Sequence, residues 1–191
     1  MANQKFKGGL LVRKDSFYIT FDSGKRRVYL SHGTEVKVLD ADSLSVVGTI
    51  TGLTRDHGVA VVSELGRGFI SDGGAARVAI FDVNTLKAIG HVEGEADAYS
   101  IVYDPASKRI FVFNGEPKNV TVIDPASGTV VATVPLGGSP EQAVSDGKGT
   151  IYDNLEDTNE ARSASTNLCS LRANPTPKTA MTEFGANGPA A

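Results

Sequence analysis

Tryptophan is absent from this sequence, cysteine occurs once, and neither sign of charge prevails. Cys169 alone cannot form an internal disulfide, and without a Cys-x-x-Cys pair a thiolate metal site has no basis. The formal net charge of −3 provides no basic footprint, which argues against nucleic acid as an obvious partner. No apolar run approaches the length of a membrane span, and Gly8 to Val12 is too short for the core of a secretion signal. As written, the chain is expected to stay in the cytoplasm. Nucleophile motifs such as Gly-x-Ser-x-Gly and Ser-x-x-Lys are missing, as are phosphate and dinucleotide fingerprints. No cofactor is expected, and an enzyme is the less favoured class.

What is present is valine, glycine and a period. The segments VKVLDADSL from Val36, VAIFDVNTL from Val78 and VTVIDPASG from Val120 align with their aspartates, Asp40, Asp82 and Asp124, each 42 residues apart. Upstream of them run RRVYLSHG, RGFISDGG, KRIFVFNG and GTIYDNLE, aligned on Val28, Phe69, Ile110 and Ile151 at steps of 41. A third series opens each unit at Asp15, Asp56, Asp97 and Pro140. Two anchor series sharing nearly one period identify an internal repeat.

Each unit reads as four short strands rich in Val, Ile, Phe and Tyr, separated by Gly, Asp and Ser turns. Asp40, Asp82 and Asp124 begin the turn between the third and fourth strands, where an aspartate can accept backbone N–H groups two residues on. The third strands are apolar at alternating and intervening positions alike, so both of their faces are covered. Four-stranded units of this length, packed face to face, predict an all-β fold: the antiparallel blades of a β-propeller, here an incomplete ring. The expected division is a lead-in over 1–14, blades near 15–53, 56–93 and 97–136, an incomplete blade over 140–160, and a non-repeating tail over 161–191.

The wording RRVYLSHGTEVKVLDADSLSVVGTI, DAYSIVYDPASKRIFVFNG and VTVIDPASGTVVATVPLGGSPE, with AVSDGKGTIYDNLED after it, resembles the YVTN repeat family, the YncE-like β-propellers of bacteria. The resemblance runs from about Asp15 to Glu160. It implies a ring of about seven blades, usually behind a secretion signal in the periplasm or at the cell surface. It also implies a binding protein rather than an established enzyme. Related propellers include lactone hydrolases and quinone-dependent dehydrogenases, which keeps an enzyme fragment as the alternative. The chain departs from the family pattern in carrying fewer than four blades, in lacking the signal, and in ending its match abruptly.

The break comes in NLEDTNEARSASTNLC. The period places a fourth third-strand aspartate at position 166, where the chain has Thr166, and no valine follows Val144. A divergent loop is one explanation. A lost reading frame, giving a truncated product or one without function of its own, is the other: Ser165–Thr166 can be encoded TCG-ACN, which contains the aspartate codon GAC in a shifted frame. A partial ring leaves blade faces uncovered, so self-association through them is expected.

The first strand of a propeller blade lines the central channel, so strand starts are the place to look for a site. Those starts present Asp15, Asp56 with His57, Asp97 with Tyr99, and Glu141 with Gln142. Carboxylates and a histidine converging on one mouth could take a hard cation or a cationic ligand group. Against this, an aspartate repeated at steps of 41 usually serves the repeat by capping an inter-blade turn. His57 has no counterpart at Ser16 or Ala98 in that alignment, which makes it the leading functional candidate. His32 and His91 read as loop or strand-edge residues.

Overall fold

A computed structural model describes residues 18–166. Among them are fourteen strands, joined mostly by tight turns: β1 (Ile19–Asp22), β2 (Arg27–Ser31), β3 (Gly33–Asp40), β4 (Val46–Val62), β5 (Arg67–Asp72), β6 (Arg77–Asp82), β7 (Ala88–Glu93), β8 (Ala98–Asp104), β9 (Arg109–Asn114), β10 (Asn119–Asp124), β11 (Thr129–Pro135), β12 (Pro140–Ser145), β13 (Thr150–Leu155) and β14 (Glu160–Ser165). Every pairing is antiparallel between strands adjacent in sequence. The 17-residue β4 serves two blades: Val46–Thr51 pairs with β3 as the outer strand of the first, and Val59–Val62 pairs with β5 as the inner strand of the second. The result is three four-stranded blades and a fourth with three described strands, stacked as a propeller arc that does not close. No described helix is long and apolar enough to cross a membrane.

The core lies between blades. Tyr29, Val36 and Val38 of the first blade meet Val59, Ile70 and Phe81 of the second. Phe69, Val78 and Ile80 meet Ile101, Ile110 and Ile123 of the third. Phe111, Phe113, Val120 and Val122 meet Ala143 and Ile151 of the fourth. The third strands β6 and β10 thus send alternate side chains to opposite neighbours, which is why they are apolar on both faces.

Asp40, Asp82 and Asp124 do as expected at their corners. One oxygen of each accepts the backbone N–H two and three residues on, at 3.1 and 2.8 Å, 3.0 and 2.7 Å, and 2.9 and 3.2 Å respectively. Those bonds, led by the one from the third residue, hold all three carboxyls below the usual range. A second device links blades: Asp22 accepts the Ser63 hydroxyl at 3.3 Å, and Asp104 accepts that of Ser145 at 2.8 Å.

Strand pairing corrects two alignments. Gly68, not Phe69, sits opposite Val61 and Phe81, as Val28 sits opposite Phe21 and Leu39, and Ile110 opposite Tyr103 and Ile123. Phe69 therefore belongs with Tyr29, Phe111 and Tyr152, an aromatic position facing the following blade. A slip of one residue exchanges the faces of a strand, and this one hid the repeated aromatic. Likewise Asp56 is opposite Asp72, as Ala98 is opposite Asn114 and Pro140 opposite Leu155. Asp56 is therefore equivalent to Ala98, not to Asp97.

The fourth blade continues past Glu160, where the repeat was expected to stop. β14 pairs along its whole length with β13, and Thr166 is buried, its hydroxyl donating to Asp104 at 2.9 Å and its N–H to the Gly149 carbonyl. Backbone pairing needs no valine. On the face away from the third blade, β14 carries Ala161 and Ser163 where the other third strands carry Val36 and Val38, Val78 and Ile80, or Val120 and Val122. That face is thinned to exposed Val144 and Tyr152. Residues 167–191 lie outside the described residues. At the other end the first blade leaves Ile19 71% and Phe21 55% exposed.

Candidate functional site

The inner strands β1, the second half of β4, β8 and β12 line an open trough of about 600 Å³, bounded by Tyr18 to Ser23, Gly58 to Val61, Ser100 to Tyr103 and Gln142 to Ser145. At the end where these strands begin, pairing is interrupted at the same place three times: between Asp56 and Val59, Ala98 and Ile101, and Pro140 and Gln142. An extra residue at such a bulge re-aims a side chain out of the ladder. The residues so placed are His57, Tyr99 and Glu141. His57 does have a counterpart, and it is Tyr99.

The His57 ring lies 4.7 Å from that of Tyr99 and 5.6 Å, edge-on, from that of Tyr18. It is 7% exposed, and neither ring nitrogen has a hydrogen-bond partner among the described residues. Burial, and then the positive charge of Arg55, lowers its pKa, so at neutral pH the ring is an uncharged acceptor. The Tyr18 hydroxyl is pushed up to about 12, first by burial and then by Glu141. Glu141 is itself raised by burial and by repulsion from Glu156 and Asp97. Arg55 pairs with Asp97 and stands 6.0 Å from the Tyr99 ring centre. Gly115 makes room for this packing: a Cβ there would meet Asp97 Oδ2 at 2.7 Å and the Tyr99 ring at 2.8 Å.

The expected site residues thus divide. His57, Tyr99, Asp97 and Glu141 come together at the mouth. Asp56 does not join them: it is buried in the crossing between the first two blades, where its Oδ2 accepts the His32 N–H at 3.2 Å. Burial pushes it up to about 6. Its neighbour Asp72 accepts the N–H groups of Thr54 and Arg55 at 2.9 and 3.0 Å and pairs with Arg77, fixing the same crossing. Asp15 lies outside the described residues. Among those described, no three His, Cys, Asp or Glu side chains converge in a metal-holding geometry. His91 lies on the outer strand β7 with Glu93.

Tyr18, Arg55 and Glu156 complete the mouth and were missed. A signal for Arg55 existed: aligning His57 with Tyr99 places Arg55 level with Asp97, its opposite in charge.

No family model and no curated protein matches the sequence. Among solved structures, hydrazine synthase of Kuenenia stuttgartiensis superposes with a TM-score of 0.72 at 16% identity, over 87% of this chain and 50% of that one. The WD40 β-propeller domain of Doa1 superposes with a TM-score of 0.63 at 19% identity, over 75% of this chain and 48% of that one. The chain spans about half the length of each, and the likeness is one of fold.

Proposed function

We propose that this chain is a non-enzymatic binding propeller of the YVTN type, present as part of a ring, whose ligand or partner site is the mouth around His57, Tyr99, Glu141 and Tyr18. One observation carries the reading. At the corners of the first three blades the fold repeats and the residue repeats with it, because an aspartate there holds each turn. At the bulged start of the inner strands the fold repeats but the residue changes from His57 to Tyr99 to Glu141. A position released from the needs of the repeat is free to serve a ligand.

The test is thermal stabilisation of the wild type and of Tyr99→Ala by a mixed panel of amines, carboxylates and neutral sugars. At least one class is expected to raise the melting temperature of the wild type and leave the variant unmoved. Equal response of both proteins to every class would dispose of the mouth as the site.

The unclosed arc and the half-length match also support reading the chain as one part of a ring. Translating the DNA beyond codon 166 in all frames tests this: further Val-x-Val/Ile-x-Asp units are expected. The same uncovered surfaces support self-association through the first blade. Sedimentation should show concentration-dependent oligomers that Phe21→Lys disperses; an unchanged distribution would place the contact elsewhere.

A further inference from the structure

We propose that the mouth takes a primary ammonium group, held by the carboxylates of Glu141 and Glu156 against the Tyr99 and Tyr18 rings, with a His57 nitrogen as its neutral acceptor. The proposal rests on the reading of the mouth as the binding site and names its ligand class. Arg55 already shows which charge this surface accepts, since its guanidinium stands by the Tyr99 ring and pairs with Asp97. An aromatic face attracts a cation through its quadrupole. That pair uses Asp97 and leaves Glu141 and Glu156 without a cation among the described residues. The Glu156 side chain accepts the Ser139 hydroxyl at 3.3 Å. Their mutual repulsion is felt at Glu141, which an added positive charge would relieve.

His57 supplies the independent observation. A polar ring more than nine-tenths buried with both nitrogens unpartnered is costly unless something pairs with it, and it lies between the two tyrosines of this cluster. Being neutral, it can accept an N–H once the tyrosine rings beside it part, since both nitrogens are shielded from solvent in this structure. An anion would meet the carboxylates, and a neutral ligand would leave their repulsion in place. A quaternary ammonium has no N–H to give, whereas a primary ammonium brings three donors for Glu141, Glu156 and His57.

The same group could arrive on a free amine or on a lysine side chain. Calorimetric titration of the 191-residue chain with putrescine, with a blocked tripeptide bearing one lysine, and with tetramethylammonium separates these cases. Putrescine or the lysine peptide is expected to bind, tetramethylammonium more weakly, and whichever of the first two binds tighter identifies the source. Glu141→Gln, a partly exposed position, should fold normally and weaken binding at least about tenfold. Glu93→Gln, on the outer strand β7, should leave it unchanged. Equal affinity of wild type and Glu141→Gln, or no binding of either amine, overturns the proposal. Should a carboxylate or sugar instead stabilise the wild type and not Tyr99→Ala, the mouth stands as a binding site and the ammonium falls.

Discussion

Replacing Asp153 with valine stabilises the protein at about pH 8, and the gain shrinks as the pH falls toward 4. Asp153 is on β13, 7% exposed, and neither carboxylate oxygen has a hydrogen-bond partner among the described residues. Strand pairing makes it equivalent to Leu30, Ile70 and Val112, of which Ile70 and Val112 face into the preceding inter-blade core. Burial pushes its pKa up to about 7 from 3.8, with Arg162 pulling weakly the other way. The folded protein thus holds this proton more tightly than the unfolded chain does. The contribution is fully present below about pH 4 and is lost as the pH rises through about 7. At roughly 1.4 kcal/mol per pH unit, the ionised carboxylate costs on the order of 4 kcal/mol when the titration is complete.

Valine removes that cost and fills the position as the other blades do. Urea unfolding at about pH 8, 6 and 4.5 measures the difference between variant and wild type. That difference isolates Asp153 from Asp56, whose raised pKa works in the same direction, and from His57, whose lowered pKa opposes it by costing stability as the pH falls below its ordinary value. Asp153→Asn should flatten the pH response with a smaller gain, since its amide also lacks a partner. A variant less stable than wild type at pH 8 would show that the carboxylate is held by something this geometry does not contain.

Gly68→Ala is expected to destabilise by about 3 kcal/mol or more, a large cost for a single methyl. The added Cβ would lie 2.0 Å from Cζ of Phe81, which is 1% exposed and packed against Tyr29 and Val83 with no room to retreat. Phe81→Ile alone should cost about 2 kcal/mol by opening a cavity beside the glycine. The equivalent pairs elsewhere are Val28 with Leu39, Ile110 with Ile123 and Ile151 with Ala164, so each blade fills this site once and divides the volume differently. Gly68→Ile together with Phe81→Ile reproduces the pair of the third blade. It should recover most of the loss, with a coupling of at least about 2 kcal/mol in a double-mutant cycle. Additive losses would show that the two residues do not share one volume.

The amino-acid sequence by itself determined the architecture. Strand composition, a period near 42 residues and both-faced apolarity in VAIFD and VTVID lead to four-stranded blades packed face to face. The corner aspartates were legible because their bonds reach only two and three residues along the chain. Only the tertiary structure decided the rest, and the reason is common to all of it. Pairing is a constraint between strands, and a bulge adds a residue to one strand without marking the sequence. The second strands were therefore aligned one residue out at Gly68, and Asp56 was grouped with Asp97 instead of Ala98. β14 was invisible because EARSAS pairs through its backbone, which valine content does not report. The mouth depends on the same bulges: they set His57, Tyr99 and Glu141 at one level and bring Arg55 to Asp97 across 42 residues of chain.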